Sequence, residues 1–308
     1  MIPSYIKLKN SNELSLRVDK LYELMKECKL CPRNCKAKRF EKRYGVCRST
    51  EQIYVSSLMT HFGEETVLVG WNGSGTVFFT NCNLWCLYCQ NYDISHLKNG
   101  EPVSVQQLAE AMLSLQQLGC HNINLVTPTH YVPMIVESLN IAAEKGLNIP
   151  IVYNCGGYES VETLKYLDGI IDIYMPDIKY SDNRNSKKYS GVKDYWDVAR
   201  KAVIEMHRQV GDLKINNFGI AERGLLVRHL VLPNNISGSE KVLEFIANEV
   251  CIDTYVNIMD QYRPCFKAKF FPELNRRITE SEYQYVLDYA ESLGLHRGFG
   301  KYEKLLIT

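Results

Sequence analysis

Three cysteines, Cys82, Cys86 and Cys89, sit in the segment Thr76-Val-Phe-Phe-Thr-Asn-Cys-Asn-Leu-Trp-Cys-Leu-Tyr-Cys-Gln-Asn91. An apolar, β-prone run feeds a short loop with C-x3-C-x2-C spacing, and an aromatic residue, Tyr88, directly precedes the last cysteine. Three thiolates this close cannot close a four-cysteine zinc site by themselves. They suit a cubane 4Fe-4S cluster in which three irons take cysteine sulfur and the fourth keeps a position open for a small chelating molecule. The alternatives are three small side chains packed in a core, or part of a zinc site.

A second set, Cys28, Cys31, Cys35 and Cys47, supplies four thiols with two, three and eleven residues between successive members. Four thiols can close a tetrahedral zinc site or hold another iron–sulfur cluster. The intervals fit no common zinc ribbon, and reduced, unliganded thiols are the third reading. Arg33, Lys36, Lys38, Arg39, Lys42 and Arg43 surround them. Such a patch balances the negative charge of a metal–thiolate centre, or touches RNA or an acidic protein.

The chain has 308 residues, a formal charge of +1 and 11 cysteines. Its near-neutral charge gives no overall field favouring nucleic acid or an acidic membrane surface. No apolar run approaches the length of a membrane span. The first residues do not read as a secretory signal, so the cysteines point to metal or redox chemistry in a reducing cytoplasm rather than to a disulfide framework. Cys120, Cys155, Cys251 and Cys265 are scattered, and packing as small hydrophobes is their default role.

The elements that must position these groups follow from periodicity. Residues 12–27 read as an amphipathic helix, and residues 51–75 lead through Gly63, Gly70, Gly73 and Gly75 into a strand before Cys82. Ser104 caps a helix with Leu108, Ala109, Met112 and Leu115 on one face. Strands at 122–127, 149–153, 171–175, 225–232 and 255–259 alternate with helices near 132–145, 160–168, 194–210, 239–250 and 280–293. Six β–α units imply a parallel sheet with right-handed crossovers, too short for an eight-fold barrel. The expected class is α/β, a partial (β/α)6 parallel barrel with a small N-terminal Cys-rich module. The expected division is 1–74 for the helix and Cys-rich module and 75–308 for the barrel with a C-terminal extension. Functional groups of such sheets gather at the C-terminal strand ends.

With the C-x3-C-x2-C loop, the chain resembles the radical S-adenosylmethionine (radical SAM) enzymes. More narrowly, it is similar to relatives of the pyruvate formate-lyase activating enzyme and to a branch of iron–sulfur homologues of that activase. The resemblance covers nearly the whole chain. It rests on Cys28-x2-Cys31-Pro-Arg-x-Cys35 with Gly45-Val-Cys47-Arg, His61-Phe-Gly-Glu-Glu65, Gly73-Ser-Gly-Thr-Val, Asn154-Cys-Gly-Gly-Tyr-Glu159, Tyr174-Met-Pro-Asp-Ile-Lys179, Val227-Arg-His-Leu-Val-Leu-Pro233 and Asn257-Ile-Met-Asp-Gln-Tyr-Arg-Pro264.

The resemblance implies that the open iron binds the amino and carboxylate groups of SAM, and that one electron breaks the sulfonium to give a 5′-deoxyadenosyl radical. Tyr88 belongs to the cofactor-binding loop. Asn154 stands where the activase has an Asp that helps hold SAM. Asp177 and Lys179 match its Asp-Leu-Lys, with Lys set to neutralise the SAM carboxylate and Asp to bind ribose or orient the Lys. Arg228 follows the fifth-strand pattern, facing a carboxylate ligand or bridging inside the barrel, and His229 points to the opposite side. Many relatives carry Gly-Gly-Glu at the second strand end to receive the SAM ammonium. Here Thr127-Pro-Thr129-His130 occupies that place, with Thr127 and Thr129 as acceptors and His130 facing substrate or, alternatively, as ordinary loop capping. Gly156 and Gly157 allow close backbone approach to a ligand or form a plain turn. Gln261 and Tyr262 lie where the last strand meets the pocket.

The expected activity is an oxygen-sensitive radical SAM oxidoreductase working under anaerobic conditions. It would abstract hydrogen from a glycyl residue of a partner protein, or from a peptide or small molecule, with a flavodoxin or ferredoxin as reducing partner. An electron-transfer or cluster-carrier module, and a zinc-bearing RNA-modifying protein, are the readings from other classes.

Overall fold

In the computed structural model, which describes residues 1–299, the chain starts with helices α1 (Tyr5–Asn10) and α2 (Glu13–Lys26). Leu14, Leu21 and Met25 put one face of α2 fully inside the core. Residues 28–50 are irregular apart from a 3-10 turn at Arg39–Glu41. Then follow β1 (Ile53–His61), α3 (Thr66–Val69), β2 (Ser74–Phe79), α4 (Tyr92–Ser95), β3 (Glu101–Val103), α5 (Val105–Gln117), β4 (Ile123–Val126), α6 (Val132–Glu144), β5 (Ile151–Cys155) and α7 (Val161–Leu167). The remainder comprises β6 (Ile173–Pro176), α8 (Asn183–Ser190), α9 (Tyr195–Val210), β7 (Lys214–Ile215), β8 (Ala221–Leu230), α10 (Ser239–Phe245), β9 (Tyr255–Met259) and α11 (Glu280–Ser292).

Strands β2, β4, β5, β6, β8 and β9 pair in parallel in that order. This is the α/β, six-unit partial barrel that the alternation implies. Every residue of β4, β5 and β6 is buried, as a sheet covered on both faces requires. Ser104 and Gln107 form a capping box at the start of α5, whose buried face is Leu108, Ala109, Met112 and Leu115.

Several elements differ from the sequence reading. The segment 51–75 is not only a lead-in: β1 pairs antiparallel with β2 and with β3. Its first residues alternate buried and exposed, but the pattern fades after Val55, so periodicity alone is too weak to mark it. The helix expected at 239–250 ends at Phe245 and continues as a wider π turn through Val250. Short α1, α8, β3 and β7 carry too few periodic positions to be read. The expected second domain ends with 300–308, outside the described residues.

Alternation along β8 separates two neighbours: Arg228 lines the barrel interior, whereas His229 is fully buried on the other side. His229 Nδ1 lies 2.7 Å from the Ile178 carbonyl and its Nε2 2.9 Å from Ser239 Oγ. Burial lowers its pKa from 6.5 to about 4, so it is neutral in the fold. A depressed histidine contributes stability that is fully present above 6.5 and is lost as pH falls toward about 4. Urea titrations are expected to show unfolding free energy decreasing across this window, by up to about 1.4 kcal/mol per pH unit for this group. His229→Gln should make that acid limb shallower.

Candidate active site

The cluster loop leaves the C-terminal end of β2 and turns beneath a wall of tyrosines. Tyr88 stands edge-on to Tyr180 at 6.3 Å and to Tyr262 at 6.0 Å between ring centroids. Tyr180 in turn meets Tyr195 at 5.6 Å, and Tyr195 stacks on Tyr158 at 6.2 Å. These rings form a second core with Leu84 and Cys86, separate from the main core under the helices. Tyr195 also ties two strand ends together. Its hydroxyl accepts the Lys179 N–H at 2.9 Å and lies 2.8 Å from the Gly156 carbonyl and 2.9 Å from the Asp177 carbonyl.

The sulfurs meet hydrogen-bond donors. The Leu84 N–H donates to Cys82 Sγ at 3.3 Å, Ser190 Oγ to Cys86 Sγ at 3.0 Å, and Ser95 Oγ lies 3.3 Å from Cys89 Sγ. Burial nevertheless pushes all three thiols up, Cys89 to about 11 and Cys82 further. Three neighbouring thiols, Cys86 buried and Cys82 and Cys89 half-buried, that resist ionisation yet face amide and hydroxyl donors are matched to a coordinated metal that reverses that preference. Among the described residues only His207, Asp212 and Cys251 bring three ligand atoms within 4.8 Å of one another. Three thiols at this spacing on one loop supply the three protein ligands that a 4Fe-4S cluster with one open iron would take.

Cys86, Cys89 and Tyr88 open onto a cavity of about 620 Å³ inside the barrel. Asn154 from β5, Asp177 and Lys179 from the end of β6, Arg228 from β8 and Asn257 from β9 line it. The charges form one network. Asp177 accepts from Lys179 Nζ at 2.6 Å and from Arg228 Nε at 2.8 Å. Arg228 also donates to Asn154 Oδ1 at 2.8 Å and reaches Glu64 at 3.4 Å. Asn154 Nδ2 donates to Glu64 at 3.2 Å, and Asn257 Nδ2 holds both oxygens of Glu65 at 2.8 Å. Burial raises the Asp177 pKa, but the Arg228 and Lys179 charges outweigh it and hold the carboxyl below its ordinary range. Burial likewise raises Glu65, and there the nearby Arg228 charge and the Asn257 hydrogen bond do not fully offset it.

Tyr88, Asn154, Asp177, Lys179 and Arg228 line one cavity, and Gln261 and Tyr262 join them at its wall. Thr127 and Thr129 do not. The Thr129 hydroxyl is buried and donates to Glu159 at 2.7 Å, while Tyr153 donates to the other Glu159 oxygen at 3.1 Å. Thr127 adopts φ 60°, a left-handed conformation uncommon for a β-branched residue, and its N–H donates to the Asn154 carbonyl at 2.8 Å. His130 turns away from the cavity to the Thr80 carbonyl at 2.8 Å. Glu64 and Glu65 were quoted in the sequence only as a motif. The signal for a role was two adjacent carboxylates after a strand, and that strand was itself missed.

Gly157 is used by the protein's own backbone. At φ +74° a Cβ would lie 2.2 Å from the Asp177 carbonyl oxygen. Gly157→Ala is therefore expected to displace Asp177 and loosen its grip on Lys179 and Arg228. Calorimetry should show weaker SAM binding, together with about 1–3 kcal/mol lower stability from strain.

Comparison with known proteins agrees with this geometry. The sequence profile of the radical SAM superfamily matches residues 76–223. Uncharacterized protein MJ0674 of Methanocaldococcus jannaschii is 33% identical over 294 residues, covering 92% of this chain and 80% of that protein. Uncharacterized protein MJ0808 of the same organism is 26% identical, covering 82% and 75%. Among solved structures, Streptococcus suis SuiB bound to precursor peptide SuiA aligns with a TM-score of 0.50 and 13% identity over 71% of this chain and 46% of SuiB. Native anSMEcpe with bound AdoMet aligns with a TM-score of 0.47 and 11% identity over 74% of this chain and 59% of that one. The chain therefore spans about half the length of these solved structures. Among the described residues no helix is long and apolar enough to cross a membrane. The profile match over residues 76–223, which spans the three-cysteine loop, and the relationship over 92% of the chain together establish that the chain belongs to the radical SAM superfamily, whose members carry a 4Fe-4S cluster and SAM.

Proposed function

We propose that the chain reductively cleaves SAM and directs the resulting radical at a C–H bond of a peptide or protein segment, a glycyl residue being the foremost target. The observation that carries this reading is the Lys179–Asp177–Arg228–Asn154 network facing the same cavity as Cys86 and Cys89. When bound, the cluster supplies one electron to the sulfonium of SAM, giving methionine and a 5′-deoxyadenosyl radical that removes a hydrogen atom.

The chain's own residues bind and orient. Lys179 and Arg228 supply positive charge for the SAM carboxylate, with Asp177 keeping Lys179 aimed. Glu64 and Glu65 offer carboxylate acceptors for an ammonium or ribose hydroxyls. Tyr88 and Tyr262 wall the cavity against water. Ligand pockets for drug-sized molecules span roughly 300–1,000 Å³, so SAM takes up much of the 620 Å³ here. The remaining space suits one small moiety, such as a glycyl segment presented by a larger chain. The precursor peptide bound to SuiB is a parallel from the same fold.

Anaerobic protein given a low-potential reductant and SAM is expected to release 5′-deoxyadenosine. Glycine-deuterated peptides should transfer deuterium into that product, read by mass spectrometry. Binding of SAM without any 5′-deoxyadenosine would overturn the first claim, and cleavage with no transfer from any glycyl peptide the second.

A further inference from the structure

We infer that His207, Asp212 and Cys251 form a binding site for a divalent transition-metal ion of the zinc class, away from the cavity and the cluster loop. The site goes beyond the reading above and does not depend on it.

The ligand atoms converge. His207 Nε2 lies 2.9 Å from Asp212 Oδ1, and Cys251 Sγ lies 3.3 Å from Asp212 Oδ2. All three are within 4.8 Å of one another, and among the described residues no other set of three histidine, cysteine or carboxylate groups meets in this way. Zinc takes nitrogen, oxygen and sulfur at about 2.0–2.3 Å, which sets tetrahedral ligand atoms roughly 3–4 Å apart. The spacing here already approximates that arrangement.

Three separate segments supply the ligands. His207 sits in the last turn of α9, Asp212 in the turn before β7, and Cys251 just after the π turn that extends α10. The Cys251 N–H closes that wider turn on the Ile246 carbonyl at 3.0 Å, and π turns are frequent at functional sites. Arg297 donates to the carbonyls of Leu213 at 2.7 Å and Asp253 at 2.9 Å, joining the two ligand-bearing loops through their backbones. Cys251 is also not the packed small hydrophobe that an isolated cysteine usually is. Cys120 and Cys155 belong to the main core, whereas Cys251 is absent from every hydrophobic cluster.

Charge and donor type select the ion. A thiolate and a carboxylate together neutralise a divalent cation, and a neutral imidazole adds no charge. One sulfur, one nitrogen and one oxygen suit zinc, whereas magnesium and calcium take oxygen ligands. Among the described residues no lysine or arginine pairs with Asp212, whose ion-pair neighbour is His207. The adjacent carboxylate, Asp253, pairs with His296 at 3.4 Å. Without metal, imidazole and thiol each reach a different oxygen of Asp212, which holds the donors in place. On binding, the thiol proton passes to solvent, the His207 ring keeps its proton on Nδ1 and turns the Nε2 lone pair to the ion, and no electron moves. The His207 and Asp212 side chains are 24% and 37% exposed, so water reaches the fourth position. The bound ion fastens the end of α9 to the loops that lead into β7 and β9, whereas the later β9 residues Asn257 and Met259 line the cavity.

Iodoacetamide labelling of the anaerobically purified full chain, read at the Cys251 peptide by mass spectrometry, tests the site. That readout is blind to zinc held at Cys28, Cys31, Cys35 and Cys47. Zinc at about ten times its dissociation constant should slow alkylation of Cys251 about tenfold, because only the metal-free thiol reacts. Cys265, also half-buried, should label at an unchanged rate, and magnesium should not protect Cys251. In His207→Gln, Cys251 should label without zinc as in the wild type and lose most of the protection by zinc. No slowing in the wild type at any zinc concentration, equal slowing of Cys251 and Cys265, or full protection in His207→Gln overturns the site. Protection by magnesium as strong as by zinc overturns the class of ion.

Discussion

Cys86→Ala is expected to eliminate 5′-deoxyadenosine formation, whereas Cys120→Ala should leave it at wild-type level. Both side chains are buried, at 8% and 3% exposure. Burial alone therefore does not distinguish them; their surroundings do. Cys86 lies in the loop at the mouth of the cavity, with Ser190 Oγ donating to its sulfur. Cys120 packs in the main core, 3.3 Å from Thr60 Oγ1. Alanine at position 86 offers no electrons to an iron, and the two remaining thiolates cannot hold a cubane that needs three. Loss should be complete rather than graded, and iron content should drop by about four per chain. Alanine at position 120 removes one small apolar group, for a stability change of about 1 kcal/mol. Product chromatography on anaerobic protein reads both variants. Undiminished product from Cys86→Ala would mean that this loop is not the site of electron delivery to SAM.

What the sequence made legible has a common physical character. The grouping of Cys82, Cys86 and Cys89 on one loop needs only their own spacing, because thiols at short intervals are set by local loop geometry. The six parallel strands were legible because fully buried runs such as 123–126 and 151–155 are bounded by turn residues and alternate with helical stretches. Asn154, Asp177, Lys179 and Arg228 could be placed because each lies at or near a strand end, where a parallel barrel gathers its polar groups. Contacts decided by distant parts of the chain were not legible. Thr129 has a serviceable hydroxyl for a ligand, but Glu159, thirty residues on, takes it in the interior. Gly157 looked like room for a ligand, and Asp177 takes that room instead. Glu64 and Glu65 reach the barrel interior only because the loop after β1 folds inward beside β8 and β9. Nothing within five residues of that loop states which strands it will meet.

Those two carboxylates set up the second large effect, centred on Arg228. Arg228→Ala is expected to lower stability by about 3–5 kcal/mol, because it removes the cation from a buried cluster and leaves its anions behind. Arg228, Asp177 and Glu64 side chains are only 16%, 17% and 12% exposed, so water screens little of the loss. Asp177 would keep Lys179 at 2.6 Å, whereas Glu64 would keep only the Asn154 amide at 3.2 Å. Glu64 is therefore the group that becomes costly. Glu64→Gln alone should cost little, since a neutral amide can still hydrogen-bond Asn154. Combined with Arg228→Ala, it should recover about 0.5–3 kcal/mol, the range of coupling between contacting charged groups. Affinity for SAM should not recover, because the double variant still lacks the guanidinium proposed to meet the SAM carboxylate. Denaturant titration and calorimetric binding separate the two outcomes. If Glu64→Gln restored neither stability nor binding, Asp177 rather than Glu64 would be the anion that Arg228 chiefly balances; if it restored both, Arg228 would serve only to neutralise the barrel interior and would have no part in holding SAM.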